Sequence, residues 1–458
     1  MSKTRRSRYS GIFPFLLLSC CVIGSCASRS TPNIVLISID TLRPDRLSCY
    51  GAPRPTSPVI DVVAEKSARF TSAFSTSPWT LPAHASMLTG RYPSTLAHDP
   101  NALRIDRVAP MLSSLLQETG YTTAAVTGGG WLIDDLGFSR GFDYFKDRGH
   151  VTDAVEWINR NHERRFFLFY HTYVVHAPYH YREFAKGNVA GRFEPIFSSK
   201  EDGGELYTDI CCRGVEVTPT EREFVLALYD GGVKQADGKV AELLRALQKF
   251  ELIRNTIIII TSDHGEEFWE HTGRGAYHGH TLYDELLRIP LIWFDPAIES
   301  ASREISTPVS LVDIVPTLLA RIGVEAPGPL DGESLLPLLS GADWASDRVL
   351  FSEAVRHGPY RYSVRSPGAT LIITPDAASQ HGEGIRYPVP VLASRELYLS
   401  GDAMEQRNAI STQSPLEGAL SSALERHLAK RAPRSSEDEA VPLDEEAIEH
   451  LQSLGYLR

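Results

Sequence analysis

Several short runs in this chain are apolar almost from end to end and stop abruptly at a polar or glycine residue. The first is "NIVLISID", rich in branched apolar residues and closed by Asp40; "YTTAAVTGGG", "RRFFLFYH", "NTIIIITSDHG" and "LLRIPLIWF" follow it. Such runs lack the alternation of a half-exposed strand and suit strands covered on both faces. Helix-type spacing separates them, around Pro58 to Ala68 and Met111 to Gly120, and "VSLVDIVPTLLARIGV" reads as an amphipathic helix. Strands alternating with helices predict an α/β fold on a doubly wound parallel sheet, with any ligand at the carboxyl ends of the strands.

From about Ala345 the pattern changes to the short strands "RVLFSEAV", "YRYSVRS", "ATLIITP" and "RELYL". The expected organisation is therefore one large domain over residues 32–344, a small C-terminal antiparallel α+β subdomain over 345–430, and a linker with a terminal helix over 431–458. Residues 181–220 keep no sustained period and read as a long excursion of the kind that forms lids and binding loops.

Charge narrows the partners. A net charge of -11 on 458 residues argues against nucleic acid, which needs clustered Lys and Arg to displace counterions from phosphates. The first 26 residues have a basic start, an apolar stretch from Ile12 to Ile23 and small residues before Cys26, which predicts an export signal. That stretch is short of the roughly 20 apolar residues of a membrane span. "VIGSC" resembles a bacterial lipoprotein cleavage box, so the exported protein is expected to sit in the cell envelope on a lipid anchor at Cys26, an ordinary cleaved signal being the alternative. Only Cys49, Cys211 and Cys212 remain beyond the signal, too few for a disulfide framework; the adjacent pair reads as surface thiols, with a strained vicinal disulfide as the alternative.

Candidate chemistry gathers at strand ends. Asp40 closes one strand and Asp263 with His264 closes another; two carboxylates and an imidazole at adjacent strand ends make a divalent-metal site of mixed oxygen and nitrogen ligands. In "SPWTLPAHASMLTG", Thr80 precedes Leu81 and Pro82, so its hydroxyl is expected at a helix N-terminus, where an anion is favoured, or as a plain N-cap. A neighbouring metal would activate that hydroxyl as it activates bound water, whose pKa falls from about 15.7 to about 7.

The ordered motifs "NIVLISIDTLRPDRLSCYG", "TLPAHASMLTGRYP", "HTYVVHAPY", "TSDHGEEFWEH", "HGHTLYDELLRIPLI", "VSLVDIVPTLL" and "RELYL" resemble those of the sulfatase family within the alkaline phosphatase superfamily, from about Pro32 to Tyr398. The resemblance implies an alkaline-phosphatase-like mixed sheet flanked by helices, and a hydrolase or transferase acting on the sulfate or phosphate ester of a small molecule, glycan or lipid. It implies one divalent ion on Asp40, Thr80, Asp263 and His264, with Mn or Zn favoured and Ca the alternative, and places His176 and His278 against the ester oxygens.

The pattern also departs from the family. Where such sulfatases carry the Cys or Ser that becomes formylglycine, this chain has Thr80; Ala83 stands at the Ser position and His84 at the Arg position, which makes His84 a further catalytic candidate. Oxidised threonine would be a ketone, so no formylglycine is expected, and a sulfated or phosphorylated Thr80 would need water or an acceptor to release it. The anion-clamping Lys is missing from "VTGGGWL", which leaves the metal, the helix and the histidines to hold the oxyanion. Arg91, Glu266, Glu267, Arg43 and Asp45 read as salt-bridge partners, and His171, His180, His271 and His280 as supporting or surface residues. The competing reading is a catalytically silent family member kept as a binding protein.

Overall fold

The computed structural model describes residues 31–97, 99, 104–105, 110–185, 216–271, 275–298, 303–342, 344, 347–375, 393–410, 414–433 and 445–453. The export signal with Cys26, the Cys211–Cys212 pair, most of the expected excursion and most of the linker lie outside these residues. No helix among the described residues is long and apolar enough to cross a membrane.

The main sheet contains β1 (Asn33–Ile39), β2 (Ala68–Phe74), β3 (Thr122–Val126), β4 (Tyr144–Lys146), β5 (Phe166–Thr172) and β6 (Thr256–Thr261). After a short hairpin, β7 (Glu267–Phe268) with β8 (Gly275–Tyr277), it adds β9 (Arg288–Phe294), β10 (Arg303–Ile305) and β11 (Val309–Ser310). The order is β10-β2-β9-β6-β1-β5-β3-β4, with β11 also on β2. Strand β1 runs parallel to β5 and β6, but β9 runs antiparallel to both β6 and β2, so the sheet is mixed rather than all parallel. Between β6 and β9 the chain forms the β7–β8 hairpin and the four-residue helix Asp284–Leu287, and β9 returns in the opposite direction.

Burial explains the unbroken runs. All seven residues of β1, all seven of β5 and all six of β6 are buried. Alternate residues divide between two cores: Ile34, Leu36, Phe167, Phe169, Ile257 and Ile259 face one, and Val35, Ile37, Leu168, Tyr170, Ile258 and Ile260 the other. The second core is closed by a helix, Pro219–Lys249, that the sequence reading did not anticipate. It opens on a capping box in which Thr218 Oγ1 accepts from the Glu221 N–H at 3.3 Å while Glu221 Oε2 accepts from the Thr218 N–H at 2.7 Å. Its paired glycines obscure the helical period and serve packing: a Cβ on Gly231 would lie 2.2 Å from the Tyr181 carbonyl oxygen, and one on Gly232 would lie 2.9 Å from that of Val174.

The first expected helix ends at Ala64, and the chain then enters β2, whose mixed pattern "ARFTSAF" gave no strand signal. The small antiparallel C-terminal sheet is present as β12 (Leu350–Ser352), β13 (Tyr362–Arg365), β14 (Ala369–Ile373) and β15 (Arg395–Leu399), in that order. A further unanticipated helix, Pro415–Leu428, covers it through Leu420, Ala423 and Leu424.

Candidate active site

The central strands deliver their chemistry at their carboxyl ends. In the aligned register Ser38 of β1 pairs with His171 of β5 and with Thr261 of β6, and the chain beyond these positions leads to Asp40 and to Asp263 with His264. Asp40, Asp263 and His264 are all fully buried, and one ligand atom from each lies within 4.8 Å of the others. His264 Nδ1 faces the Gly265 carbonyl at 2.8 Å; donating there leaves Nε2 as the lone-pair nitrogen, and Nε2 lies 3.3 Å from Asp263 Oδ2 and 3.9 Å from Asp40 Oδ1.

Thr80 completes the group. The helix Thr80–Thr89 is buried on every side, and the extended residue before it, Trp79, occupies the N-cap position. Thr80 is therefore the first helical residue and not the cap. Its Oγ1 donates to Asp40 Oδ2 at 3.3 Å and lies 3.5 Å from His264 Nε2. The positive end of the helix and the metal-type ligands thus converge on one hydroxyl.

The residues around this group fix its geometry. His171 Nδ1 accepts from the Gly128 N–H at 3.2 Å, so Nε2 carries the proton and donates to Asp40 Oδ2 at 3.2 Å. His84 lies beneath Thr80, with Nδ1 2.9 Å from the Thr80 carbonyl oxygen and Nε2 2.9 Å from Ser38 Oγ. The His176 and His278 rings lie 5.0 Å apart, and the His278 and His264 rings 4.6 Å apart. Glu266 is fully buried; its Oε1 meets His278 Nδ1 at 2.9 Å and its Oε2 accepts from the Tyr179 hydroxyl at 3.0 Å. Glu266 thus aims a site histidine, a more specific task than the salt bridge first expected of it.

Electrostatics mark the same place. Burial, and then the neighbouring Asp263, push the Asp40 carboxyl well above the usual carboxylate range. Burial opposes charge on Asp263 too, but His264, His84 and His171 outweigh it and hold that carboxyl low. Burial pushes Glu266 up to about 7 and His176 down to about 3, the latter helped by His278. Burial and then His264 hold His278 well below its ordinary value. Burial, and then Asp40, push up the hydroxyl of Tyr173, which also bonds Thr80. Tyr173 went unremarked in the sequence because nothing in "HTYVVHAPY" distinguishes it from a core aromatic.

A divalent cation fits this set. Asp40 Oδ1 and Asp263 Oδ2 are buried oxygens without a hydrogen-bond partner, and no Lys or Arg among the described residues pairs with either acid. A buried, unneutralised acid pair is costly unless a cation or a shared proton offsets it.

The remaining candidates fall elsewhere. Arg43 pairs with Asp45 at 2.9 Å and with Glu270 at 2.6 Å, as expected of salt-bridge partners. Arg91 instead donates to the Thr95 carbonyl. His280 is held by Glu267 at 2.7 Å, His271 by Glu285 at 2.7 Å, and His180 is exposed.

Residues 32–324 match the family model described as Sulfatase. A curated relative, the ulvan-active sulfatase of Formosa agariphila, is 26% identical over 415 residues, 82% of this chain and 80% of its own. A sulfated-sugar complex, solved with its substrate D-glucosamine-2-N,6-O-disulfate, superposes with a TM-score of 0.67 at 20% identity, over 87% of this chain and 98% of that one. The phosphonate monoester hydrolase of Agrobacterium radiobacter gives 0.64 at 18%, over 87% and 95%. At these identities the two structures speak for the fold alone.

Proposed function

Because the chain belongs to the sulfatase family of ester hydrolases, we propose that it cleaves the sulfate or phosphate ester of a carbohydrate with Thr80 itself as nucleophile, without a formylglycine. The observation that carries this reading is the position of Thr80 Oγ1, 3.3 Å from Asp40 and 3.5 Å from His264 at the start of a buried helix. The carbohydrate class rests on the ulvan-active relative and on the sulfated sugar bound in the similar structure. A silent binding protein gains no support, since the acid pair, His264 and Thr80 are all present and buried together.

Asp40, Asp263, His264 and Thr80 would hold the divalent cation, which would lower the pKa of the hydroxyl and offset the charge of the ester. The mixed oxygen and nitrogen set favours manganese or zinc over calcium. Thr80 Oγ forms a bond to sulfur or phosphorus as the bond to the sugar oxygen breaks. The Thr80 proton passes to the His176–His278 pair, which burial keeps uncharged at rest, and from there to the departing sugar oxygen, with Glu266 anchoring His278 Nδ1. Water then attacks the same central atom, frees inorganic sulfate or phosphate and returns the Thr80 hydroxyl. His84, bonded to Ser38 and to the Thr80 carbonyl, positions the nucleophile from below.

The test is a parallel assay of a soluble form lacking residues 1–26, wild type and Thr80→Ala, on sulfated and phosphorylated sugars and their aryl analogues with manganese, zinc or calcium added. Turnover lost in Thr80→Ala supports the direct threonine route. Turnover that survives the substitution would sink it.

A further inference from the structure

The turn at residues 128–130 carries glycines where an anion-clamping lysine was expected, and the following residue is Trp131. The structure brings a cation to the same place from the C-terminal sheet. After β12 the chain crosses the segment that leads to Thr80: the Glu353 N–H donates to the Thr76 carbonyl at 2.9 Å, and Trp79 Nε1 donates to the Ala354 carbonyl at 2.6 Å. Two residues on, the Arg356 and His357 N–H groups both donate to the Gly279 carbonyl, at 2.8 and 2.9 Å. Arg356 is therefore tied by its own backbone beside His278 and through Ala354 to the residue before Thr80.

Its side chain is held by aromatic rings. The guanidinium carbon lies 4.8 Å from the centre of the Trp79 ring and 4.4 Å from that of Trp131, and the two indoles meet edge to face at 5.5 Å. Indole faces attract and orient a guanidinium without neutralising it. A planar fork with fixed donors suits the oxygens of a sulfate or phosphate group.

We propose that Arg356 is an oxyanion-binding residue of this site, supplied by the C-terminal sheet and oriented by Trp79 and Trp131 in place of a cation on the glycine turn. The inference rests on the reading of Thr80 as the nucleophile for an anionic ester. It also makes the glycine turn and the C-terminal sheet one device: Trp131, next to the turn, braces a charge that arrives from the other part of the chain.

The experiment is calorimetric titration of inorganic phosphate and of inorganic sulfate into the metal-supplemented wild type, Arg356→Gln and Arg356→Lys, with thermal melts of each protein. Wild-type binding weakened about tenfold or more in Arg356→Gln and partly restored in Arg356→Lys, with unchanged melting, is the expected result. Equal affinity in wild type and Arg356→Gln overturns the proposal and leaves the Thr80 reading standing. No anion binding by a wild type that still turns over through Thr80 also overturns it alone, whereas no binding and no turnover removes both. Should the variants fail to fold, phenylglyoxal modification of the wild type with peptide mapping decides: phosphate must slow the labelling of Arg356, and labelling at the same rate with and without phosphate refutes the assignment.

Discussion

Two buried charge clusters sit in the same molecule and are built on opposite principles. Around Asp284, every acid has a cation: Arg288 reaches Asp284 Oδ2 at 2.6 Å, Arg365 reaches Asp284 Oδ1 at 2.6 Å and Glu405 at 3.1 Å, and His271 bridges Glu285 and the Glu405 carbonyl. Around Asp40 the acids face only histidines, the Thr80 hydroxyl and one another. The first cluster joins the main domain to the C-terminal sheet and is complete in its own side chains. The second leaves carboxylate oxygens aimed at a common point, which is the signature of a site that waits for a ligand. Burial alone therefore does not separate function from structure in this chain; the presence or absence of a matching side-chain cation does.

The contrast can be broken by substitution. If Thr80 is the nucleophile as proposed, Thr80→Ala should lower turnover at least about 10³-fold, because the group that bonds to sulfur or phosphorus is removed. Its melting temperature should hardly move, since the hydroxyl's partners are ligand-type groups. Arg365→Met should do the reverse: stranding Asp284 and Glu405 without their shared cation is expected to cost about 3–5 kcal/mol in stability, read by denaturant unfolding. If Arg365→Met unfolds at the wild-type denaturant concentration, the paired cluster is not structural and the comparison fails.

A milder change sharpens the open cluster. Manganese or zinc at a hundredfold excess over its Kd should stabilise the wild type by about 2.7 kcal/mol, reversed by a chelator. Asp40→Asn should abolish that metal-dependent gain at little cost to the chelated protein, because burial and the neighbouring Asp263 already disfavour a charge on Asp40. A full metal response in Asp40→Asn would remove Asp40 from the ligand set.

Much of the open cluster was legible because its residues sit where strand and helix signals end. Asp40 and Asp263 close apolar runs, and Thr80 stands before Leu81 and Pro82 in a helix start, so local pattern placed them without tertiary knowledge. Residues whose roles depend on distant contacts were not legible. His171 is one more position in the buried strand β5 until its register opposite Ser38 brings it to Asp40. Arg356 lies in a short connection of the C-terminal sheet, and only the chain path over Trp79 brings it to the site. The fold shows the same division: unbroken strands were found, while β2, whose apolar run is broken by Arg69, Thr71 and Ser72, and the helix Pro219–Lys249, interrupted by two packing glycines, were not.

The smallest expected effect belongs to the paired cluster. Burial opposes a proton on His271, but its hydrogen bond to Glu285 overcomes that and raises its pKa to about 9. Burial raises Glu285 itself to about 7. Both shifts have one sign: the folded protein holds protons that the unfolded chain has already released, so their contribution is complete below the ordinary pKa of each group and is lost as pH rises. For His271 the window runs from its ordinary value of 6.5 to about 9. The burial of the ring opposes much of what the hydrogen bond gains, so the drop should be about 1 kcal/mol. Above pH 7, where the contribution of Glu285 is largely spent, stability measured by urea unfolding up to pH 10 should fall in the wild type and stay nearly flat in His271→Gln, whereas turnover should not distinguish the two proteins. A pH slope that persists in His271→Gln would place the titrating group elsewhere. A loss of turnover with it would mean that the paired cluster and the open one are coupled, contrary to the division their charges describe.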